Sequence, residues 1–144
     1  MKYSRVYIDA FGYELPPNVV SSDDIEARLE PLYKALRFQK GQLEALTGIH
    51  ERRFWDPGFK MHEGAELAGL KAIHQSGISP DTIDMLIYSG VCRDNLEPAT
   101  ACAVSDGLGL GPDTQIYDVS NACLGVLNGM VQIANAIELG QIRA

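Results

Sequence analysis

Short apolar runs of strand length alternate along this chain with segments whose apolar residues recur at helical spacing, and this pattern is clearest in the second half. The short apolar runs Met85–Ser89 and Gln115–Val119 are bounded by turn residues, which is typical of buried parallel strands. Apolar residues at helical spacing, together with glycine and proline boundaries, predict three helices around these strands. They cover about residues 61–75, 98–108 and 122–139.

The pattern is weaker in the first half. Residues 5–10 are rich in β-forming side chains and predict a strand. Residues 21–24 offer N-cap side chains for a helix that begins near Ile25, and the apolar spacing from there to Leu46 predicts one broken helix or two short ones. The charged and aromatic residues 50–58 predict a loop. Strands that alternate with helices predict an α/β fold with a largely parallel sheet.

Composition and charge narrow the class of protein. A chain of 144 residues is long enough for one domain whose core needs no disulfide or metal for stability. The net charge of −7 argues against nucleic-acid binding. Cys92, Cys102 and Cys123 lack the spacing of a zinc site or disulfide framework, which favours a reducing, cytoplasmic location. The uncharged residues 119–137 contain polar amides, so we expect a buried helix and no membrane span.

A cysteine follows the second predicted strand and is the strongest candidate for chemistry. The pattern delivers Cys123 to the first turn of a helix, where unpaired N–H groups and the helix dipole stabilise a thiolate. The same N–H groups can receive an oxyanion when the thiolate attacks a thioester. The small residues Ala122, Gly125 and Gly129 predict a narrow approach to the sulfur. The alternative is that Cys123 is a small hydrophobic residue of the core.

Residues 117–129 resemble the nucleophile segment of the thiolase superfamily, in particular its ketoacyl synthase III group. Residues 47–53, the strand Met85–Ser89 and residues 96–102 match that group in the same order. The resemblance implies a thiolase-like fold, layered α-β-α-β-α in the full enzyme, with residues 1–144 forming the N-terminal half. It implies that Cys123 is acylated by a thioester. The required C-terminal half, which supplies the catalytic His and Asn or second His, would lie further along a longer chain or on another polypeptide.

Glu97 departs from the pattern of the fatty-acid-initiating synthases, in which the matching residue is usually Phe. The carboxylate resembles the OleA branch, which joins two acyl-CoA molecules head to head and in which this Glu acts as a base in the partner's site. A homodimer is therefore implied. Without a malonyl carboxylate the donor cannot form its carbanion by decarboxylation, so a desolvated Glu97 would remove an α-proton. The alternative is a solvated carboxylate near a helix N-terminus.

Binding of CoA is assigned less directly. Arg52 and Arg53 suit a phosphate, and Trp55 suits an adenine, although all three equally fit a solvated loop. The fatty-acid-initiating enzymes hold CoA with an Arg and a Trp at positions where this chain has Leu46 and Gln42. We expect surface or structural roles for the three histidines, and hydrogen bonds inside the fold for a stripe of amides. These residues are His50, His62 and His74, and Asn121, Asn128, Gln132 and Asn135.

Together the motifs predict an acyltransferase that performs a Claisen condensation of acyl-CoA through an acyl-cysteine and gives a β-keto product. It would need no metal and no permanently bound cofactor, since the coenzyme A thioester is its substrate. One alternative is a conventional ketoacyl synthase III, which elongates an acyl group with malonyl carrier protein. The other is a catalytically idle, thiolase-like partner subunit.

Overall fold

The computed structural model describes residues 2–144, which divide into two compact units. One unit combines the residues up to Glu14 with Lys60–Ala144, and the other is Leu15–Phe59. Each unit contains a sheet of two strands among the described residues.

The Leu15–Phe59 unit is built on an antiparallel strand pair with three short helices. Its elements are β1 (Asn18–Ser21), α1 (Ser22–Arg28), α2 (Glu30–Leu36), α3 (Gln42–Thr47) and β2 (Glu51–Phe54). Ser21 and Asp24 form a capping box, so the predicted N-cap is confirmed, although α1 begins earlier than Ile25. Glu26 is 4% exposed and accepts hydrogen bonds from the N–H groups of Gly41 and Leu43, which ties α1 to the start of α3.

Two sequence predictions for this unit are wrong. The segment predicted as one or two helices forms three, because the chain turns between α1 and α2 and again between Arg37 and Gly41, both of which have positive φ. The predicted loop 50–58 contains β2, which pairs with β1 in a register that places Ser21 opposite Glu51. Both strands are four residues long, and the sequence of β2 is mostly charged, so apolar alternation gave no signal for them.

The other unit has a parallel strand pair flanked by helices. Its elements are α4 (Met61–Ser76), a 3₁₀ turn (Pro80–Thr82), β3 (Met85–Ser89), α5 (Thr100–Gly107), β4 (Gln115–Val119) and α6 (Gly125–Glu138). Both predicted strands are confirmed, and they pair in parallel with Met85 opposite Gln115 and Ser89 opposite Val119. The predicted helix 61–75 is confirmed within one residue, and it ends at Gly77 in the left-handed conformation.

Residues 5–10 do not form the predicted strand. This segment has β-forming side chains but makes no strand pairing in the described chain, and Tyr7 and Ile8 are exposed. Its start is held by side-chain contacts instead, since the N–H groups of Ser4 and Arg5 donate to the Glu138 carboxylate at 2.9 and 3.0 Å. A strand requires a partner as well as propensity, and the sequence pattern predicts only the propensity.

The last two predicted helices begin later than expected. Helix α5 begins at Thr100 rather than at Pro98, and α6 begins at Gly125 rather than at Ala122. The prediction that this last helix is buried is only partly right. Its buried residues are small, whereas Val126, Leu127 and Met130 are exposed. No helix within residues 2–144 is long and apolar enough to cross a membrane.

Candidate active site

The turn between β4 and α6 carries Cys123. The sequence predicts this residue in the first turn of the helix, but the structure places it before Leu124, the N-cap of α6. Ala122 has a φ of 43°, a left-handed conformation that non-glycine residues rarely adopt. The N–H groups of Leu124 and Gly125 donate to the carbonyls of Asn121 and Ala122 at 2.9 and 3.2 Å. These two N–H groups are therefore engaged within the turn.

Cys123 is exposed in this chain, so no described residue buries it as the alternative interpretation, a core residue, would require. Cys92 is also exposed, and Cys102 is half-buried. Cys92 lies in the β3–α5 loop, whose backbone projects most of its side chains outward.

The glycines of α6 have a packing role. A Cβ atom at Gly129 would lie 2.8 Å from Ser89 Oγ and 3.3 Å from Ile87 Cγ2. One at Gly125 would lie 3.5 Å from the carbonyl oxygen of Val119. Their small size lets α6 lie directly against the strands. This packing role differs from the predicted one, in which the small residues leave a narrow approach to the Cys123 sulfur.

Glu97 lies in the loop that joins β3 to α5, residues 90–99. It is exposed, and the neighbouring Leu96 is 89% exposed, so the described residues of this chain do not desolvate the carboxylate. Burial of Glu97 would require contacts from outside the chain. Because β3 and β4 are parallel neighbours, the loop with Glu97 and the turn with Cys123 both leave the same edge of the sheet.

Asp118, the fourth residue of β4, fixes the end of this loop. Its carboxylate accepts hydrogen bonds from the N–H groups of Thr100 and Ala101, each at 2.9 Å, and its side chain is 5% exposed. Arg93 Nε lies 3.8 Å from Asp118 Oδ2. The N-cap of α5 is Ala99, which has no acceptor side chain, so Asp118 satisfies the N–H groups of the first turn in its place.

Asp94 holds the middle of the same loop. It accepts hydrogen bonds from the N–H groups of Met61 and His62 at 2.8 and 2.9 Å, at the start of α4, and His62 Nδ1 lies 2.8 Å from Asp94 Oδ2. Burial opposes ionisation, but the hydrogen bonds from His62 and Met61 outweigh it and hold the pKa of Asp94 below its usual range. At the loop's start, the Tyr88 hydroxyl donates to the carbonyl oxygen of Cys92 at 2.9 Å.

Sequence reasoning missed Asp94 and Asp118 as structural anchors. The sequence contains one indirect sign of such anchors, which is the lack of capping residues. Neither Lys60 before α4 nor Ala99 before α5 has a side-chain oxygen that can cap its helix. A helix that lacks its own cap requires an acceptor from elsewhere, but the sequence does not say which carboxylate supplies it.

The predicted CoA contacts lie in the Leu15–Phe59 unit, on β2 and just after it. The Arg52 guanidinium lies 3.4 Å from Ser22 Oγ, and Arg53 donates to the carbonyl oxygen of Pro16 at 3.2 Å. Neighbouring residues of a strand project to opposite faces, so the two arginines are not a single phosphate clamp. One face of Trp55 stacks on Phe59, with ring centroids 3.9 Å apart.

His50 and His62 make structural contacts, and His74 is exposed on α4, as expected for surface or structural roles. His50 Nδ1 lies 3.1 Å from Glu44, whose hydrogen bond and charge raise the pKa of the imidazole, and His62 contacts Asp94. The amide stripe is also hydrogen-bonded. Asn121 pairs with Asn128 at 2.7 Å, while Gln132 and Asn135 accept from tyrosine hydroxyls at 2.8 and 2.9 Å.

Comparison with known proteins identifies enzymes that match the chain over nearly its whole length. The acyl-CoA:acyl-CoA alkyltransferase of Shewanella oneidensis is 56% identical over 144 residues, which are 100% of this chain and 41% of that protein. The protein of the same name from Xanthomonas campestris is 37% identical over 142 residues, or 99% of this chain and 42% of that protein. A beta-ketoacyl-[acyl-carrier-protein] synthase III from Koribacter versatilis is 32% identical over 96% of this chain and 39% of its own length. No family model matches the chain.

Solved structures agree with these relatives. The 3-oxoacyl-(acyl carrier protein) synthase III, FabH, of Xanthomonas oryzae superposes with a TM-score of 0.93 at 37% identity, over 99% of this chain and 42% of that one. A variant of OleA from Xanthomonas campestris, with bound lauric acid and lauroyl-CoA, gives a TM-score of 0.91 at 35% identity, over 98% of this chain and 42% of that one.

The fold is therefore thiolase-like, and the chain matches the N-terminal part of the synthase III and OleA structures. Within that class it shares more identity with the alkyltransferase of Shewanella oneidensis than with the synthase III relatives. The resemblance predicted from the sequence is confirmed. The chain spans about two fifths of the length of the relatives that it matches.

The solved structures of the Xanthomonas campestris OleA include a variant of a glutamate, a variant of a cysteine and a variant of a histidine. That glutamate precedes that cysteine by the same number of residues that separate Glu97 from Cys123. The histidine lies beyond the part of that protein to which this chain corresponds.

Proposed function

We propose that the protein containing this chain is an acyltransferase that condenses two acyl-CoA molecules through a covalent acyl-cysteine. The observation that carries the proposal is the placement of Glu97 and an exposed Cys123 after neighbouring parallel strands, in a chain 56% identical to an acyl-CoA:acyl-CoA alkyltransferase. Residues 1–144 are the nucleophile-bearing N-terminal half of the enzyme, and the rest of the fold supplies the other catalytic groups.

In the first step, the Cys123 thiolate attacks the carbonyl carbon of one acyl-CoA. The bond from carbon to the Cys123 sulfur forms, the bond to the CoA sulfur breaks, and CoA leaves as a thiolate that is then protonated. The substrate thioester is the only non-protein component of the reaction, so no resident cofactor takes part.

In the second step, Glu97 accepts an α-proton from another acyl-CoA, and the resulting carbanion attacks the acyl-cysteine carbonyl. A carbon–carbon bond forms, the Cys123 thiolate leaves, and the product is a β-ketoacyl-CoA. An exposed Glu97 on a projecting loop fits a base that enters the site of a second copy, where that copy desolvates it. The active enzyme is therefore a homodimer, which works in the cytoplasm, where acyl-CoA is available.

Binding of CoA is proposed separately, at the arginines of the Leu15–Phe59 unit. Arg52 and Arg53 project to opposite faces of β2. We therefore assign a CoA phosphate to only one of them, and the other binds groups of the protein itself. Arg53 is exposed while Arg52 is half-buried against Ser22, which favours Arg53 for the phosphate.

Radiolabelled acyl-CoA tests the two steps separately in the complete protein. We expect Cys123→Ala to lose covalent label, and Glu97→Gln to keep the label but lose condensation. Glu30→Gln, which removes the charge of an exposed glutamate paired with Lys34 on α2, is the matched control and should keep both activities. Condensation by Glu97→Gln at the wild-type rate would reject the base assignment, and unchanged labelling of Cys123→Ala would reject the nucleophile.

A conventional ketoacyl synthase III is the second candidate, because relatives with that name match the chain at 31% and 32% identity. Such an enzyme would extend the acyl-cysteine with malonyl carrier protein, whose decarboxylation replaces the base. Supplying either malonyl carrier protein or a second acyl-CoA to the acylated protein separates the candidates. The alkyltransferase proposal expects product with the second acyl-CoA.

A further inference from the structure

The loop of residues 90–99 is exposed where it carries Glu97 and anchored on both sides of it. Asp94, three residues before Glu97, is bound to the start of α4, and Thr100, three residues after it, is bound by Asp118. The side chain of Asp94 is 10% exposed, although its neighbours in the loop are mostly exposed. We propose that Asp94 is a positioning residue that fixes Glu97 for proton abstraction, an inference that rests on the proposed function.

The contacts of Asp94 explain why it can set the position of the loop. Its two oxygens receive three hydrogen bonds of 2.8 to 2.9 Å, all from Met61 and His62 at the start of a 16-residue helix. The positive end of the helix dipole favours the carboxylate. Because α4 is a rigid element, a short loop tied to its first turn is held in one place.

The contacts on the other side of Glu97 complete the restraint. Asp118 belongs to β4, which leads directly to the Cys123 turn, and it holds Thr100 and Ala101. Five residues of chain therefore lie between the two fixed points at Asp94 and Thr100, with Glu97 at their centre. Removal of the Asp118 side chain would disturb the positions of both Glu97 and Cys123. Removal of the Asp94 side chain would disturb the position of Glu97 alone.

The test uses Asp94→Asn in the complete protein, with acylation and condensation measured separately. Loss of the anchor should lower the condensation rate about tenfold or more, because small misplacement of a catalytic group costs large factors in rate. Acylation of Cys123 should change less than about threefold, since the base takes no part in it. Asp94→Glu, which retains the charge, should recover part of the condensation rate.

Asp84→Asn is the matched control. Asp84 also accepts hydrogen bonds from a backbone N–H and a side chain, those of Arg143, but it lies just before β3, at the opposite end of that strand from the loop. The Asp84→Asn variant should alter the ratio of the condensation rate to the acylation rate by less than about twofold, whatever its effect on thermal stability.

If Asp94→Asn does not fold, His62→Ala removes one of the three hydrogen bonds and should lower the ratio of condensation to acylation by a smaller factor. Equal loss of both activities, or an unchanged ratio in every Asp94 and His62 variant that folds, would overturn the positioning role. Failure of the wild-type protein to acylate Cys123 would instead reject the proposed function. The two failures are therefore distinguishable.

Discussion

Asp118 Oδ2 lies 2.9 Å from the backbone nitrogen of Thr100, so the strand that leads to Cys123 also fixes the helix that follows Glu97. The two candidate catalytic residues are thus connected through one buried carboxylate, which satisfies the first turn of α5. Asp118 thus links the loop with Glu97 and the turn with Cys123 at one edge of the parallel sheet, where α/β proteins commonly bind their ligands.

The hydroxyl of Thr100 gives the first prediction. Thr100 is 2% exposed, and within the described residues its Oγ1 has no hydrogen-bond partner. Thr100→Val should therefore leave the free energy of unfolding unchanged or raise it by up to about 1 kcal/mol, because an unsatisfied buried hydroxyl is lost. Thr114→Val is the control, since Thr114 Oγ1 donates to the carbonyl of Ile83 at 2.8 Å, and it should cost about 1 kcal/mol. Urea unfolding measures both, and a clear loss for Thr100→Val would contradict the assignment.

The hydrogen bond between Asn121 and Asn128 restrains the turn that carries Cys123. Asn128→Ala should slow acylation of Cys123 by about threefold to tenfold, the range that one hydrogen bond supports, with little change in melting temperature. Asn135→Ala, on the same helix and bonded to Tyr3, is the matched control and should acylate at the wild-type rate. Equal rates for the two variants would show that this hydrogen bond does not order the turn.

Gly12 packs against α4 so closely that no side chain fits. A Cβ atom there would overlap the carbonyl oxygen of Ala68 and lie 2.6 Å from the backbone nitrogen of Ala72, and backbone atoms of a helix cannot move aside cheaply. Gly12→Ala should lower the free energy of unfolding by about 1 to 3 kcal/mol. Gly111→Ala, where a Cβ meets nothing within 4 Å, is the control and should be nearly neutral by thermal or denaturant unfolding. Equal stability of the two variants would contradict this packing.

The contact between Asp84 and Arg143 predicts a dependence of stability on pH. Hydrogen bonds from the side chain and backbone of Arg143 lower the pKa of Asp84 to about 2, from an ordinary value of 3.8. Because the folded state then binds fewer protons than the unfolded state, this contact stabilises the protein above about pH 4 and loses its effect as the pH falls towards 2. The difference in melting temperature between wild type and Asp84→Asn should be constant above that window and shrink within it. A difference independent of pH would contradict the lowered pKa.

The sequence predicts the parts of the fold that have strong local signals. Met85–Ser89 and Gln115–Val119 are continuous apolar runs, and the helix that ends at Gly77 has both periodicity and a C-cap. The predictions fail where structure depends on distant partners. Residues 5–10 have strand propensity without a partner, and β2 pairs with β1 although its sequence is charged.

The same division applies to the candidate site. The resemblance to the ketoacyl synthase III group makes Cys123 and Glu97 the catalytic candidates, whereas their residue pattern alone left a structural role open for each. The residues that support them are not identifiable in this way, since Asp94 and Asp118 act through backbone N–H groups of α4 and α5 that are distant in sequence. The sequence pattern also predicts the start of α6 too early, at Ala122 and not at Gly125. Ala122 adopts a left-handed conformation that alanine seldom favours, and the pattern does not predict it.

Peptide mapping by mass spectrometry after brief incubation of the complete protein with acyl-CoA tests the central claim most directly. Cys92 and Cys123 are both exposed, so Cys92 reports non-specific acylation within the same molecule. We expect an acyl group on the Cys123 peptide, little or none on the Cys92 peptide, and no acylation of either peptide in Cys123→Ala. Equal acylation of the two cysteines, or acylation of neither, would contradict it.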